Sequence, residues 1–235
     1  SLMSFHNPNS ELSYINTNAH IHPCPLSPHM YNVITAALKL SQLSKGLFDI
    51  TLPAQPLIKL NDLPCHGYSH DAMASWKDIC IENQSIFFKK NIQIDLGGIA
   101  KGYAVDYAFN SNKTKSKKIT INAGGDMRTN HWKNTYVDIK YATHHAINIV
   151  SVKMLNAAVA TSGHYYTAHG LPPIISPISK TPAIMPYTIS VFASTCMMAD
   201  ALTKIAWLMP KNDLLFRYYN VTVLSIDHDG HVQTI

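Results

Sequence analysis

The chain has 235 residues, 46% of them hydrophobic and 14% charged, with a formal net charge of +5 at pH 7. An apolar fraction of that size is ordinary for a globular protein and excludes long disorder, collagen-like repeats and coiled coil; the length suits one large domain or two closely packed small ones. The excess of 19 Lys and Arg over 14 Asp and Glu is too small and too scattered to mark a nucleic-acid surface, and its one dense run, KTKSKK at 113–118, reads as a solvated loop. No stretch approaches the roughly 18 apolar residues of a membrane span. The opening Ser1-Leu2-Met3-Ser4 has neither the basic nor the apolar region of a signal segment. Cys24, Cys65, Cys80 and Cys196 show no CxxC spacing, and the 13 histidines include no HExxH pair, so neither set reads as a metal centre.

Ser27-Pro28 reads as N-cap and first position of a helix through Leu43, with Val33, Ile34, Ala37, Leu38 and Leu40 on its apolar side and Lys45-Gly46 as its stop. The 53–75 segment has Pro, Gly and His without periodicity and reads as irregular. β-rich runs follow at 79–81, 85–88 and 92–96, the first two joined by an Asn83-Gln84 turn. Gly97-Gly98 then leads into a helix over 99–109. Strands are predicted again at 118–122, 135–141, 146–152 and 157–160. In the second of these, Tyr136, Asp138 and Lys140 alternate with Val137, Ile139 and Tyr141, which predicts one buried and one exposed face. A connection containing Pro172, Pro173, Pro177, Pro182 and Pro186 precedes a strand at 188–193. Thr195 caps a helix through Leu208, and Pro210 ends it. A last hairpin pairs 221–226 with 231–234 across Asp227-His228-Asp229-Gly230. Many strands with few helices predict an α+β fold rather than a doubly wound sheet.

Four stretches carry chemistry. IDLGGIAKGYAVD (94–106) is a strand ending in Asp95, a Gly97-Gly98 turn and a helix; backbone N–H groups at such a helix start suit an anion. INAGGDMR (121–128) repeats the strand–Gly-Gly order and ends in Asp126-Met127-Arg128. AVATSGHYY (158–166) runs from a strand into Thr161-Ser162-Gly163. Each taken alone is also an ordinary tight turn, and the absence of GxGxxG and GxxxxGK[ST] disfavours a Rossmann site and a P-loop. In STCMMADALTKIAWLM (194–209), Asp200, Thr203 and Lys204 share one helix side at i, i+3 and i+4. A carboxylate among Met197, Met198, Ala199, Ala201 and Leu202 needs a cation, a metal or several donors; an i,i+4 pair with Lys204 is the plain alternative.

Together these stretches resemble the ApbE family, the FAD:protein FMN transferases, whose IDLGG(I/A)AKGYAVD pattern is matched almost letter for letter at 94–106. INAGGDMR is similar to the family's NAGGD segment, AVATSG to its TSG segment, STCMMADAL to its TCMxADAL segment, Leu47-Phe48-Asp49-Ile50-Thr51 to its AFDPT segment, and Ser10-Glu11-Leu12-Ser13 with Asn16 to its SELSxxN segment. The likeness implies one α+β, T-fold-like flavin transferase domain over 1–235, built of two intertwined halves of mostly antiparallel sheet with helices, FAD lying between them. The activity it implies is cleavage of FAD at its diphosphate and attachment of FMN to Thr or Ser of a protein acceptor, with release of AMP. FAD binding without transfer, and metal-dependent hydrolysis of FAD to FMN and AMP, share the same motifs. Flavin contacts are implied at Phe48, Asp49, Asp95, Gly97, Gly98, Lys101, Asn122, Ala123, Gly124, Gly125, Asp126, Thr161, Ser162, Gly163 and Ile174. Asp200 is implied as the residue on which catalysis depends, and Mg²⁺ as cofactor, held by Asp200, Gly98 and an i+3 hydroxyl at Thr203. The partners implied are FAD and an acceptor protein, and a periplasmic location is favoured by the likeness.

The sequence departs from the family in four places. The strand and helix that the family places before SELS, with a flavin-contacting Met, are not in this sequence. The HIIDPRTG segment reads Pro173-Ile174-Ile175-Ser176-Pro177-Ile178-Ser179-Lys180, without its His and Asp. The acid after TSG is His164. The metal-binding Thr four residues after Asp200 is Lys204. An ammonium there either replaces the ion or points away and leaves room for it.

Overall fold

The protein is described from a computed structural model, covering residues 2–51, 74–112, 117–143, 146–163, 174–179, 183, 185, 187–211 and 213–235. Most of the irregular segment expected at 53–75, most of the KTKSKK run, His164, and most of the proline-rich connection lie outside the described residues. The chain divides into two compact units, Ser1–Gly98 with Pro177–Thr181, and Ile99–Ser176 with Pro182–Ile235.

The first unit opens with a helix the sequence reading did not anticipate, α1 (Glu11–Asn18). Only Leu12 and Ile15 supply its fully buried apolar face; hydrogen bonds make up the rest. Ser10 is its N-cap, accepting from Ser13 N at 3.0 Å while donating to Ser4 O at 2.7 Å. Ser13 Oγ donates to Asn7 O at 2.8 Å, and Glu11 Oε1 accepts from Ser27 N at 2.7 Å. Ser27 is in turn the N-cap of α2 (Pro28–Leu43), so the SELS letters tie two helix starts together. α2 has the predicted bounds and ends through left-handed Lys45 (φ 54°) and Gly46 (φ 86°). A three-stranded antiparallel sheet places β3 (Ser85–Phe88) between β1 (Cys24–Pro25) and β2 (Ile79–Glu82). Asn83 (φ 47°) and Gln84 (φ 60°) make the expected two-residue turn.

The strand expected at 92–96 does not form. Ile94 makes a single bridge, to Thr51. Asn16 supplies the rest of the pairing: its Nδ2 donates to Ile94 O and its Oδ1 accepts from Ile94 N, both at 2.9 Å. A side-chain amide has the same donor–acceptor pair as a peptide group, so it completes Ile94's backbone bonding without a neighbouring strand.

The second unit is built on a six-stranded antiparallel sheet in the order β11-β10-β9-β8-β5-β4. Its strands are β4 (Thr120–Ala123), β5 (Asp126–Thr129), β8 (Ala158–Ser162), β9 (Thr188–Ala193), β10 (Thr222–Ile226) and β11 (Val232–Thr234). A separate hairpin, β6 (Tyr136–Ala142) with β7 (Ile147–Lys153), has the alternation read from the sequence: Ile139 is buried while Tyr136, Asp138 and Lys140 are exposed. Met127, Val159, Phe192, Leu224 and Ile226 of the large sheet cluster with Ile139, Val137, Tyr141, Val150 and Val152 of that hairpin. Strand residues of opposite parity, Ala158, Ala160 and Ala193, meet α3 (Ala100–Asn112) and α4 (Cys196–Leu208) through Val105, Cys196 and Ala199. Alanines there let the helices lie close. β9 is buried along all six residues because both of its faces are covered. The short helix α5 (Asp213–Tyr218) precedes β10. The fold is thus α+β with antiparallel sheets, as the sequence predicts.

Candidate functional site

α4 begins with three backbone N–H groups that have no partner within the helix. Thr195 Oγ1 accepts from Met198 N at 3.4 Å, as its cap position predicts. The other two are met from another helix: Asp106 of α3 accepts from Cys196 N through Oδ1 and from Met197 N through Oδ2, each at 2.9 Å. Arg128 of β5 donates to Asp106 Oδ1 at 2.7 Å, and its guanidinium lies 4.7 Å from the Phe109 ring centroid. The last Asp of the IDLGGIAKGYAVD stretch therefore fixes the start of α4. Sequence reasoning did not single out Asp106, because capping between elements distant in sequence leaves no local spacing.

One turn further along, Asp200 is fully buried. Its Oδ2 accepts from Gly102 N at 3.0 Å, and its Oδ1 is paired with the ammonium of Lys204, which also donates to Asp200 O at 3.0 Å. Of the two directions open to Lys204, the side chain takes the one toward Asp200. Thr203 Oγ1 donates to Asp200 O at 2.7 Å and accepts from Ser162 Oγ at 2.9 Å. Beside Ser162 on β8, Thr161 shares a 2.8 Å hydrogen bond with Ser190 of β9.

Asp126, at the start of β5, is also buried, with Lys101 Nζ 3.2 Å from its Oδ2 in an ion pair. Burial first, and then the charge of Asp200, push the Asp126 carboxyl up to about 6; Lys101 and Lys204 oppose the shift. Burial likewise pushes the Cys196 thiol up, with Asp126, Asp106 and Asp200 adding to it, so this cysteine is an inert core residue rather than a nucleophile. Lys101, Asp126, Asp200 and Lys204 thus form a group of two carboxylates and two ammonium ions, drawn from α3, β5 and α4.

Gly124 (φ 63°) and Gly125 (φ 102°) make the two-residue turn between β4 and β5, and Gly125 N donates to Asn122 Oδ1 at 3.1 Å. Asn122, Ala123 and both glycines are exposed. Among the described residues, chain neighbours aside, no atom lies within 4 Å of where a Cβ would stand on either glycine, so the turn calls for glycine through its backbone angles. Gly125→Val is expected to cost about 1–2 kcal/mol from the left-handed backbone. Urea unfolding checks it, and an unchanged midpoint would show that the turn relaxes freely. Ile174 is buried, and its carbonyl accepts from Ala183 N at 2.9 Å; Ala183 O in turn accepts from Trp207 Nε1 at 3.0 Å.

The remaining expected site residues belong to the first unit. Phe48 is buried, and its N–H donates to Ser44 Oγ at 3.0 Å. Asp49 accepts from Thr51 N at 2.9 Å, from Thr51 Oγ1 at 2.8 Å and from Trp76 N at 3.3 Å, which orders the Leu47-to-Thr51 segment. Asp95 Oδ1 accepts from Gly97 N at 3.0 Å and shapes the turn in which Gly97 is exposed. Gly98 ends the first of this unit's two segments.

A sequence profile described as the ApbE family matches residues 1–220. The chain belongs to the ApbE family. It is similar to the FAD:protein FMN transferase of Chlamydia muridarum, 25% identical over 217 residues that make up 83% of this chain and 67% of the relative. It is also similar to the protein of that name from Chlamydia pneumoniae, 30% identical over 169 residues, 68% of this chain and 53% of the relative. The ApbE protein of Thermotoga maritima superposes with a TM-score of 0.78 over 99% of this chain and 84% of its own, at 23% identity. The flavin transferase ApbE of Vibrio cholerae does so with a TM-score of 0.78 over 100% and 82%, at 21% identity. At those identities the structural likeness establishes the ApbE fold.

The donor set at α4 does not fit the Mg²⁺ that the ApbE resemblance implies. Mg²⁺ takes oxygen ligands at about 2.0–2.1 Å in near-octahedral array. Here one Asp200 oxygen holds an ammonium and the other a backbone N–H, and the Thr203 hydroxyl already joins Asp200 O and Ser162. Another candidate group, Asp227, Asp229 and His231, lies in the β10–β11 turn. Asp227 Oδ1 there accepts from Asp229 N and His231 N, both at 2.9 Å, which is the bonding of a side-chain-closed turn. Among the described residues no helix is long and apolar enough to cross a membrane.

Proposed function

We propose that this chain is a FAD:protein FMN transferase. The observation that carries the reading is the match to ApbE along almost the whole chain, with Lys101, Asp126 and Asp200 of three matched motifs brought into one charged group with Lys204. The substrates are FAD and a protein that offers a Thr or Ser hydroxyl. That oxygen bonds to the phosphorus on the FMN side of the diphosphate, the bond from that phosphorus to the bridging oxygen breaks, and AMP leaves with the electron pair. The hydroxyl proton passes to solvent. Lys101, about half exposed, and Lys204 supply positive charge for a diphosphate, whose negative charge grows on the leaving phosphate during transfer. Asp200 acts through Lys204, whose ammonium it holds in one place. Flavin contacts at Phe48, Asp49 and Asp95, at Asn122 to Asp126, at Thr161 to Gly163 and at Ile174 belong to the same reading.

One observation favours a second reading, FAD binding without transfer. Asp200 and Lys204 cancel each other's charge, whereas a divalent ion on that carboxylate would leave one positive charge over for the leaving group. Incubation with FAD and a flavin-accepting protein separates the cases. Covalent flavin fluorescence on the acceptor is the expected result; unchanged bound FAD would establish the binder, and free FMN with AMP would establish hydrolysis. Asp200→Asn keeps the shape and removes the charge, and is expected to lower transfer on the order of a hundredfold. Full transfer by a folded Asp200→Asn variant would defeat the role given to this carboxylate.

A further inference from the structure

We infer that the Lys204 ammonium stands where a divalent cation would have to bind beside Asp200, so that the chain engages the diphosphate of its dinucleotide without a metal ion at this position. The inference rests on the FAD reading for its ligand, but its metal half rests on this chain's own residues.

Three features of the structure support it. Lys204 is held twice, by Asp200 Oδ1 and by Asp200 O at 3.0 Å, so the ammonium is fixed over the carboxylate rather than swept through solvent. The second carboxylate oxygen already accepts from Gly102 N at 3.0 Å, from the packed helix α3, which takes up one of its lone pairs. The hydroxyl nearest in sequence, Thr203, is turned back onto Asp200 O and held by Ser162. An ion placed against Asp200 would lie within about 4 Å of a fixed positive charge in a poorly solvated setting, where like charges repel strongly.

Lys204 nevertheless has a proton to offer. An ammonium carries three N–H bonds, and two of them go to Asp200. The third has no partner among the described residues, and the side chain is 24% exposed against 1% for Asp200. A buried carboxylate that anchors a partly exposed ammonium presents one aimed cation to an anion. The substitution therefore exchanges an ion that must be recruited from solution for one carried by the chain. It also lowers the net positive charge at this point by one.

The test uses the whole chain. Mn²⁺ binding is followed by electron paramagnetic resonance without flavin, on the parent and on Asp200→Asn. The expected result is that the two give the same isotherm, any shared weak binding coming from elsewhere on the surface. Mn²⁺ bound by the parent and lost in Asp200→Asn would overturn the inference. Lys204→Thr restores an i,i+4 oxygen pair and should gain an Asp200-dependent Mn²⁺ site, with a rise in its melting temperature on adding Mn²⁺ that the parent lacks. Should Lys204→Thr not fold, parent crystals soaked in Mn²⁺ and FAD decide: an anomalous peak within bonding distance of Asp200 overturns the inference, and its absence there supports it. In parallel, flavin fluorescence titration should give the parent the same FAD affinity in EDTA and in Mg²⁺, and Lys204→Gln about tenfold weaker affinity in both, a loss of about 1.4 kcal/mol. A tenfold gain in parent affinity on adding Mg²⁺ would count against the inference. A parent that binds no FAD at all would defeat the flavin reading, while the Mn²⁺ isotherms, which need no flavin, still decide the place of Lys204.

Discussion

Asp106→Ala is expected to lower the free energy of unfolding by about 3–5 kcal/mol, the cost of removing one partner from a buried ion pair. The carboxylate serves three donors at once, the N–H groups of Cys196 and Met197 and the guanidinium of Arg128. Its side chain is 10% exposed and that of Arg128 17%, so water does little to replace what is lost. The truncation leaves a mostly covered cation with no counter-charge and two helix-start amides without acceptors. Asp106→Asn keeps an acceptor for one amide and should cost less than Asp106→Ala. The check is urea unfolding of both variants against the parent. A loss under 1 kcal/mol for Asp106→Ala would mean that water reaches the start of α4 and that the tertiary cap contributes little. Because Asp106 holds the helix on which Asp200 and Lys204 lie, any Asp106→Ala protein that stays folded should also bind FAD more weakly than its stability alone would require.

The second large effect is expected at Gly102, where α3 crosses α4. A Cβ there would stand 2.3 Å from Cys196 O, 2.7 Å from Cys196 C and 2.8 Å from Asp200 Cβ. Two of these atoms are backbone, so no rotamer change relieves the clash, and the helices must move apart. Gly102→Ala gains up to about 1 kcal/mol in helix propensity. Against this stand about 1–3 kcal/mol of overpacking and about 1.5–3 kcal/mol for the charged hydrogen bond from Gly102 N to Asp200 that separation would break. The net expectation is a loss of about 1.5–5 kcal/mol on those scales, with loss of FAD binding as Asp200 shifts. An Ala variant as stable as the parent would show that the helix pair has slack, and that Gly102 is present for some reason other than close packing.

Sequence alone determined the elements whose signals are local. Ser27-Pro28, Thr195 and Lys45-Gly46 act on amides and carbonyls a few residues away, so α2 and α4 came out with their bounds. The period-2 alternation of 135–141 placed β6 because one sheet face is covered and the other is not. The order of the motifs was likewise enough to assign the ApbE family. Tertiary structure decided what depends on residues far apart in the chain. α1 has too few apolar residues to announce itself and is held by Ser10, Glu11, Ser13 and Asn16 through bonds to other segments. The β-rich run at 92–96 is not a strand, because the Asn16 side chain, 78 residues away from Ile94, takes a neighbouring strand's place. The choice at Lys204 could not be made from spacing, since an i,i+4 lysine on a helix can reach its aspartate or extend into solvent. Gly102 N and the Thr203–Ser162 bond fix the carboxylate and the hydroxyl beside it, and the buried anion draws the ammonium one helical turn away.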